Sequence, residues 1–349
     1  MSKVLVAPGK YIQGAGELKN LGEHIINYGK KALVIVSKNG KERLKSSLEE
    51  IDQTAVELRF ELFCGECTVE EVKRLTEIVK EENCEVIVGI GGGKILDTGK
   101  AIAHYLKKPV ILCPTTASTN APCSPVSVLY TTEGKFAEYL SLPMNPNLIL
   151  VDTEEIVKAP IRLSVAGMGE VLATYYEGKA RKNGMTEAAY AMAEQGYKIL
   201  IEEGVKARIA LEEGVCTKAV DKVIEANTLL SGMGFVSDET SGAHAIYNGF
   251  TMLDDSRKSY HGEKLAFSTI VWLVLENAPE EEIGEVVEFC LEVGLPVTLS
   301  DLGMKRITDE KIEMIAEAAK GDNEALGAGT KDIVAAIKAA DGIGRYFKG

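Results

Sequence analysis

Apolar runs alternate with helical segments through the first half of the chain, and this alternation limits the folds open to it more than any other feature. The runs EVIVGI at 85–90 and PVILCPT at 109–115 are nearly continuous in apolar residues, which is typical of parallel strands buried on both faces. The runs KALVIVS and VELRFELF are also strand-like, and apolar residues recur at helical spacing in 68–83 and 94–106. Strands that alternate with helices of this length predict βαβ units in a doubly wound parallel sheet.

The second half of the chain has a different pattern, and proline marks the change. Seven of the ten prolines fall between Pro109 and Pro160, in a region of turns and short strands. The strand pattern then ends. Helical periodicity follows at 185–203, 215–231, 280–293 and 309–320. Because 349 residues are enough for two domains with a cleft between them, we predict an α/β domain at 1–158 and an all-helical domain at 159–349.

The charge balance argues against two classes of partner. Acidic residues number 52 against 39 basic ones, a net charge of -13, and a field of that sign repels phosphodiester backbones and anionic lipid surfaces. The first apolar run meets Pro8 and Gly9 too early for a secretory signal. The run at 265–275 has about half the length needed to cross a bilayer. We therefore expect a cytoplasmic enzyme acting on a small molecule, with neither nucleic acid nor membrane as a partner.

The seven cysteines do not suggest a disulfide framework. Their number is odd and their spacing is scattered, which fits a reducing compartment. Cys64 and Cys67 form CGEC, the spacing of a redox pair, but no second pair completes a zinc site and no other thioredoxin feature accompanies it. We interpret CGEC as a turn before a helix that Thr68 caps together with Glu71.

A glycine-rich turn, GIGGGKILD at 89–97, stands where a buried strand ends and a helix begins. Glycines there let the backbone approach a diphosphate closely, and the amide groups at the helix start attract its negative charge. The turn lacks the G-x-G-x-x-G spacing of the usual dinucleotide fingerprint and is not a Walker motif. Taken alone, it also fits a tight turn that packs a helix on a sheet.

A hydroxyl-rich loop follows the next strand, in the stretch CPTTASTNAPCSPVSVLYT. Open α/β sheets bind ligands at the carboxyl edge, where this loop begins. The alternative is a proline-broken loop whose hydroxyls bond its own backbone. Its hydroxyl side chains are Thr115, Thr116, Ser118, Thr119 and Ser124. Two polar loops after adjacent strands favour a nucleotide site.

Three residues of the second half have the chemistry of a metal site. Glu170 follows Gly167 and Gly169 near the expected start of a helix, where an acid also complements the helix dipole. His244 lies in the helical segment SGAHAIYNGF, and His261 opens the apolar helix HGEKLAFSTIVWLVL. Each histidine alone fits a hydrogen-bonded structural role. Together, two imidazoles and one carboxylate bind Zn²⁺ or Fe²⁺ and leave a position open for water or a substrate oxygen.

Ordered motifs along nearly the whole chain resemble the iron-containing alcohol dehydrogenase superfamily, and most closely its glycerol-oxidising members. The motifs are APGKYIQGAGEL, GIGGGKILDTGKAIAH, PTTASTNAPCSPVSVLYTTEGKF, LPMNPNLILVDT, AGMGEVLAT, IEANTLLSGMGF, AHAIYNGFT, HGEKLAF and VGLPVTL. So many motifs in order make a more specific match than any single glycine loop.

The resemblance implies a Rossmann-like nucleotide-binding domain followed by a helical domain, the architecture of dehydroquinate synthases. It implies hydride transfer between NAD and a small alcohol, with glycerol and dihydroxyacetone as the expected pair, one divalent metal with zinc favoured over iron, and a homo-oligomer. Glu170, His244 and His261 match the metal ligands, and with Asn120 they form the expected catalytic set. The matched cofactor positions are Gly93, Lys94, Asp97, Thr115, Thr116, Ser118, Ser124, Val126 and Tyr130.

Four positions depart from the pattern of the glycerol-oxidising members. Glu170 and Asn120 each stand where those proteins usually have aspartate, and Tyr247 stands where they have a histidine. An amide is uncharged and also donates, so Asn120 would bind a polyol differently or suit another substrate. Dehydroquinate synthases use a glutamate with two histidines, so Glu170 remains a credible ligand. Ser37 lacks the carboxylate that bonds the adenosine ribose, and this leaves NADP open as the cofactor.

Three other functions remain open on the sequence. One is a dehydrogenase for a different substrate, of the 2-hydroxy acid or glycerol 1-phosphate type. The second is a lyase of the dehydroquinate synthase kind, which needs a dense basic cluster for phosphate and carboxylate. Beyond Arg257, Lys258 and Lys264 the sequence shows no such cluster. The third is a non-catalytic nucleotide-binding relative.

Overall fold

A six-stranded parallel sheet occupies the first part of the chain in the computed structural model. The structure describes residues 3–133, 136–234, 242–305, 307–321 and 326–349. The strands are β1 (Tyr11–Gly14), β2 (Lys31–Val36), β3 (Glu57–Leu62), β4 (Val86–Gly91), β5 (Val110–Pro114), β6 (Val126–Tyr130), β7 (Phe136–Ser141) and β8 (Leu148–Asp152). In the sheet they follow the order β1-β8-β5-β4-β2-β3, while β6 and β7 form a separate antiparallel hairpin. The four apolar runs predicted as strands are confirmed as β2 to β5.

The central strands are buried on both faces because successive side chains point to opposite sides. On β2, Leu33 and Ile35 join one hydrophobic core, whereas Val34 joins the other. On β4, Ile87 and Val88 divide in the same way. Continuous apolar runs are therefore required at these strands, and the predicted doubly wound arrangement is confirmed.

The helices cover the sheet and then form a helical layer of their own. They are α1 (Leu21–Ile25), α2 (Lys38–Arg43), α3 (Lys45–Glu49), α4 (Val69–Glu81), α5 (Gly93–Leu106), α6 (Thr153–Val157), α7 (Ile161–Ala180), α8 (Glu187–Glu212), α9 (Lys218–Glu225), α10 (Ser231–Gly234), α11 (Ala243–Thr251), α12 (His261–Leu275), α13 (Glu280–Val293), α14 (Asp309–Lys320) and α15 (Thr330–Lys348). From α7 onward the described residues form helices joined by loops, as predicted. Among these helices, none combines the length and the hydropathy that crossing a membrane requires.

Local differences from the sequence predictions have identifiable causes. Helix α7 already begins at Ile161, directly after Pro160, so Glu170 lies in the middle of the helix and not near its start as expected. An interaction of Glu170 with the helix dipole is therefore excluded, since that effect is confined to the terminal turn. Thr68 does cap α4, accepting the N–H of Glu71 at 3.1 Å. The Glu71 carboxylate instead accepts the N–H of Cys64 at 3.1 Å.

A π-helical turn, Ala226–Leu230, joins the helical layer to the sheet edge. The buried amide of Asn227 donates to the carbonyl oxygens of Ala117 at 2.9 Å and Ser164 at 2.8 Å. The hydroxyls of Tyr11 and Thr228 lie 2.8 Å apart. Irregular helical turns of this kind are frequent at functional sites. Here the turn holds the loop after β5 against the helical layer.

Candidate active site

Three helices bring together the carboxylate and the two imidazoles predicted as metal ligands. Glu170 comes from α7, His244 from α11 and His261 from α12, and one ligand atom of each lies within 4.8 Å of the others. Glu170 Oε1 is 3.5 Å from His261 Nε2. Glu170 and His244 are buried, while the His261 side chain is 34% exposed. The cluster is therefore closed on the protein side and open at His261.

Glycines in the motifs GMGE and HGEK permit this convergence. A Cβ atom at Gly169 would lie 2.1 Å from the carbonyl oxygen of Gly262, and one at Gly262 would lie 1.7 Å from that of Ala166. A Cβ at Gly167 would lie 2.1 Å from the carbonyl oxygen of Ala117. Real side chains cannot approach so closely, so α7 packs directly on α12 and on the loop after β5 only because these positions lack side chains. The glycines set the spacing between Glu170 and His261.

The surroundings of Glu170 keep its carboxylate ionised. Burial alone would raise the pKa of this carboxyl, but the His261 ring, the His244 ring and the N–H of Asn120 outweigh burial, and the pKa is lowered. The Asn120 N–H donates to Glu170 Oε2 at 3.0 Å. One oxygen is thus held by the loop after β5, and the other faces His261.

The ring of His244 is oriented by a residue that the sequence did not single out. Nδ1 of His244 lies 2.8 Å from Glu177 Oε2. Burial would lower the pKa of His244, but the Glu177 charge and hydrogen bond overcome burial and raise it. An ionised carboxylate only accepts hydrogen bonds, so in the neutral ring Nδ1 donates and Nε2 carries the lone pair. The residues present fit a divalent metal: an ionised carboxylate and two imidazole nitrogens in one small volume.

The two predicted nucleotide loops lie side by side at the carboxyl edge of the sheet. Strands β4 and β5 are neighbours, paired as far as Gly91 and Pro114. Gly93 opens α5, and a Cβ atom there would lie 3.8 Å from the side chains of Thr119 and Ala121 in the loop after β5. The start of the helix therefore faces the hydroxyl-rich loop. The N–H groups at such a helix start favour an anion.

The predicted cofactor residues of the loop lie close behind this helix start. Thr115 is buried, and its N–H donates to the carbonyl oxygen of Gly91 at 3.0 Å. The hydroxyls of Thr116 and Ser118 are half-buried and lie 3.3 Å apart. Ser124 is buried, with its hydroxyl 3.4 Å from Lys100 Nζ. Two of the predicted hydroxyls thus remain partly accessible at the sheet edge.

Lys94 and Tyr130 lie at the outer side of the same region. Lys94 Nζ bonds Glu66 Oε2 at 2.6 Å and stands 5.8 Å from the centre of the Tyr130 ring. Burial raises the pKa of the Tyr130 phenol to about 12. The Tyr130 phenol therefore stays protonated at neutral pH.

A buried lysine, Lys100, organises the remaining predicted cofactor positions. Its Nζ lies 2.9 Å from Asp97 Oδ1 and donates to the carbonyl oxygens of Ala121 at 2.8 Å and of Val126. Asp97 Oδ2 accepts the N–H of Val128 at 3.2 Å. Burial raises the pKa of Asp97, with Lys100 opposing it. Asp97 and Val126 are thus tied to each other through protein contacts, and Lys100 was not predicted from the sequence.

Asn120 and Tyr247 complete the surroundings of the cluster. The side-chain amide of Asn120 is buried and donates to Ser231 Oγ at 3.3 Å. The ring of Tyr247 stands edge-on to the ring of His261, with centroids 4.4 Å apart. Burial raises the pKa of Tyr247, so its phenol remains a hydrogen-bond donor.

The signals for the missed residues were present but not specific. Glu177 follows Glu170 by seven positions, which places both on one face of α7. Lys100 follows Asp97 by three positions on α5, at the spacing of a helical ion pair. Asn227 stands within IEANTLL, where nothing in the pattern indicates a π turn. Spacing alone identifies neighbours on one helix and not the partners that another element supplies.

The helix start and the hydroxyl-rich loop lie at the edge of a parallel sheet, and that loop bonds Glu170 of the cluster of one carboxylate and two imidazoles. This arrangement places a nucleotide-type sheet edge beside side chains that can bind a metal, as in oxidoreductases that use both kinds of cofactor. A sequence model described as "Iron-containing alcohol dehydrogenase" matches residues 8–153. Glycerol dehydrogenase of Thermotoga maritima is 44% identical over 100% of this chain and 99% of its own length. The chain belongs to the iron-containing alcohol dehydrogenase family.

Two solved structures superpose on nearly the full length of this chain. The crystal structure of glycerol dehydrogenase from Schizosaccharomyces pombe superposes with a TM-score of 0.93 at 34% identity, covering 99% of this chain and 92% of that one. A probable glycerol dehydrogenase from Sinorhizobium meliloti 1021 gives a TM-score of 0.91 at 38% identity, covering 99% and 100%. The predicted fold class, a nucleotide-type sheet followed by a helical layer, is confirmed.

Proposed function

We propose that this chain is a metal-dependent glycerol dehydrogenase that uses NAD to interconvert glycerol and dihydroxyacetone. One observation carries the proposal: an ionised, buried carboxylate and two imidazoles converge within 4.8 Å beside the two nucleotide-type loops. Full-length relatives with 44% identity that are glycerol dehydrogenases support the choice of substrate. Bound NAD would supply the hydride acceptor: oxidation of glycerol would transfer a hydride from the alcohol carbon to NAD and release the hydroxyl proton to solvent, which leaves the ketone.

Glu170, His244 and His261 would hold the metal, and zinc is preferred to iron on family grounds alone, since both ions accept two imidazoles and a carboxylate. A bound divalent ion supplies Lewis acidity toward the substrate oxygen. The protein holds Glu170 in place through the Asn120 N–H and keeps its carboxylate charged. The partly exposed face of His261 gives the substrate its approach.

The cofactor would lie along the start of α5, with its diphosphate at Gly93 and Lys94. The remaining contacts would come from Asp97, Thr115, Thr116, Ser118, Ser124, Val126 and Tyr130. Thr116 and Ser118 support this placement because both residues are only half-buried and their hydroxyls lie 3.3 Å apart. NAD is preferred to NADP on family grounds.

Asn120 is proposed to contact the substrate through its side-chain oxygen, since its amide nitrogen already donates to Ser231. An uncharged acceptor holds a polyol hydroxyl less strongly than a carboxylate does. This favours, as the second candidate, a smaller hydroxy carbonyl compound. Glycolaldehyde reductase of Halobacterium salinarum is 34% identical over the full length of both chains.

Three further features belong to the proposal. We propose a domain boundary at 158, and the start of α7 at Ile161 supports it. A reducing, cytoplasmic location is supported by seven cysteines that are all free. A homo-oligomer is expected from family resemblance alone.

The substrate is tested with a panel in which glycerol, vicinal diols and 2-hydroxy acids are oxidised with NAD or NADP, and glycolaldehyde is reduced with NADH or NADPH. Reduced nicotinamide is followed by absorbance in every assay. Glycerol with NAD should give the highest kcat/KM. A higher value for glycolaldehyde reduction would favour the second candidate. If no member of the panel produces a signal in metal-loaded protein, the chain is not a dehydrogenase of this kind.

A further inference from the structure

We propose that Glu177 is a positioning residue that fixes the ring of His244, so that Nε2 and not Nδ1 faces Glu170 and His261. The inference rests on the proposed function, because it concerns how the metal site is built. It adds a residue that touches neither the metal position nor the substrate and acts only through His244.

One carboxylate holds His244 at two points. Glu177 Oε1 accepts the backbone N–H of His244 at 2.8 Å, and Glu177 Oε2 lies 2.8 Å from Nδ1 of the same residue. The Glu177 side chain is 12% exposed and the His244 side chain is 9% exposed, so water competes little for these bonds. Backbone and ring are thus fixed together, which leaves the imidazole little freedom to rotate.

The backbone bond also supplies a cap for α11 that Gly242, which has no side chain, cannot give. Gly242 stands at the N-cap with φ of 56° and no side chain, so nothing on the helix itself accepts the first N–H groups. Glu177 extends from α7 and accepts the N–H of His244, the second residue of α11. A negative charge at this end of a helix is also favourable. Helix α7 therefore supplies both a ligand, Glu170, and the group that orients another ligand.

The chemistry of the two nitrogens explains why a carboxylate is needed. An ionised carboxylate accepts at both oxygens, so it can bond the backbone N–H and the Nδ1–H at once. An amide has only one acceptor oxygen. In a Glu177→Gln variant, either the backbone N–H loses its acceptor, or the amide nitrogen donates to Nδ1 and moves the ring proton to Nε2. Groups that orient metal-bound histidines typically change metal affinity by about 10–100-fold when they are replaced.

The test compares E177Q with wild type and with T186A, all stripped of metal. Thr186 caps α8 through the N–H of Ala189 and lies on none of the helices α7, α11 and α12 that carry the cluster, so T186A reports the loss of a helix cap. Zn²⁺ affinity is measured by competition with a chromophoric chelator, and the visible spectrum of bound Co²⁺ reports ligand geometry. Thermal unfolding of the apo proteins separates stability from metal affinity.

The expected result is a loss of about 10–100-fold in Zn²⁺ affinity for E177Q, with a changed Co²⁺ spectrum, whereas T186A loses thermal stability only. In a double-mutant cycle, E177Q should have no further effect on affinity once His244 is alanine. The positioning role alone would be overturned by either of two results. One is a Zn²⁺ affinity of E177Q within twofold of the wild-type value. The other is an E177Q substitution that lowers Zn²⁺ affinity as much in the His244→Ala background as it does in the wild type. Wild-type protein that binds no divalent metal would overturn the proposed function and this inference together.

Discussion

The backbone N–H of Asn120 donates to Glu170 Oε2 at 3.0 Å, so a loop of the sheet holds one oxygen of the carboxylate at the centre of the cluster. The other oxygen lies 3.5 Å from His261 Nε2. Because the same loop carries the proposed cofactor residues, the geometry of the candidate metal site depends on the position of that loop. The length of the Glu170 side chain matters for both contacts.

Replacing Glu170 with aspartate should weaken metal binding although the ligand type is kept. The side chain becomes shorter by about 1.5 Å, and it then cannot reach both the Asn120 N–H and the position beside His261 unless α7 moves. Gly169 already packs with no spare room against Gly262, which opposes such a movement. We expect Zn²⁺ affinity to fall by about tenfold or more, measured by chelator competition. Unchanged affinity of E170D would show that the reach of Glu170 is not what the site requires.

Replacing Lys100 with methionine should destabilise the fold strongly. Lys100 Nζ compensates the buried charge of Asp97 at 2.9 Å and binds the carbonyl oxygen of Ala121. Removing one partner of a buried ion pair costs about 3–5 kcal/mol. The free energy of unfolding from urea titration should fall by that amount in K100M and recover in part when Asp97 is also changed to asparagine. If the double variant is no more stable than K100M, the ion pair is not the cause.

The stability of the protein should increase when Lys264 is replaced with methionine. Burial lowers the pKa of Lys264, and Glu263 opposes this only in part, so the folded state is penalised for holding the charged form. Below the lowered folded-state pKa the full penalty applies. The penalty declines as the pH rises from this folded-state pKa toward about 10.4, the pKa of lysine in the unfolded chain. Over that range the unfolded chain binds more protons than the folded protein, so the folded state gains stability as the pH rises.

Melting temperatures across this pH range test the prediction. K264M should melt above wild type at neutral pH, and the difference should shrink at alkaline pH. The exposed Lys258, six positions earlier, gives the control, since K258M should leave the curve unchanged. An equal or lower melting temperature for K264M at neutral pH would contradict the penalty.

Replacing Ser37 with aspartate should reduce the use of NADP. Ser37 follows β2 and caps α2 by accepting the Gly40 N–H at 3.0 Å, and aspartate caps helices equally well, so the fold is kept. A carboxylate at this place accepts bonds from the ribose and repels a 2′-phosphate. The ratio of kcat/KM for NAD to that for NADP should rise in S37D. A ratio that does not change would place the adenosine end of the cofactor elsewhere.

The sequence predicted the sheet because buried parallel strands leave a local signal, a continuous apolar run. Taken alone, Glu170, His244 and His261 each also fitted a structural role, and only the family resemblance joined them as a candidate metal site. The structure does bring the three side chains together, within 4.8 Å. The expected position of Glu170 near a helix start was wrong because α7 begins at Ile161, nine residues earlier. Pro160 was a signal for that start, since proline suits the beginning of a helix.

The orienting contacts could not be predicted, because each joins elements far apart in the chain. Glu177 bonds His244 across 67 positions, and Asn227 bonds Ala117 across 110. Nothing in the local pattern of α7 says which of its residues will face α11. Such partners follow only from the packing of helices, which depends on many glycine and side-chain contacts at once.

Activity measured before and after metal removal tests the central claim most directly. Protein treated with chelator and freed of it should contain no metal and should no longer reduce NAD with glycerol, and added Zn²⁺ or Fe²⁺ should restore the rate as about one ion binds per chain. The H261A variant should regain neither metal nor activity. Full activity in metal-free protein, or in H261A, would contradict a reaction that depends on Glu170, His244 and His261.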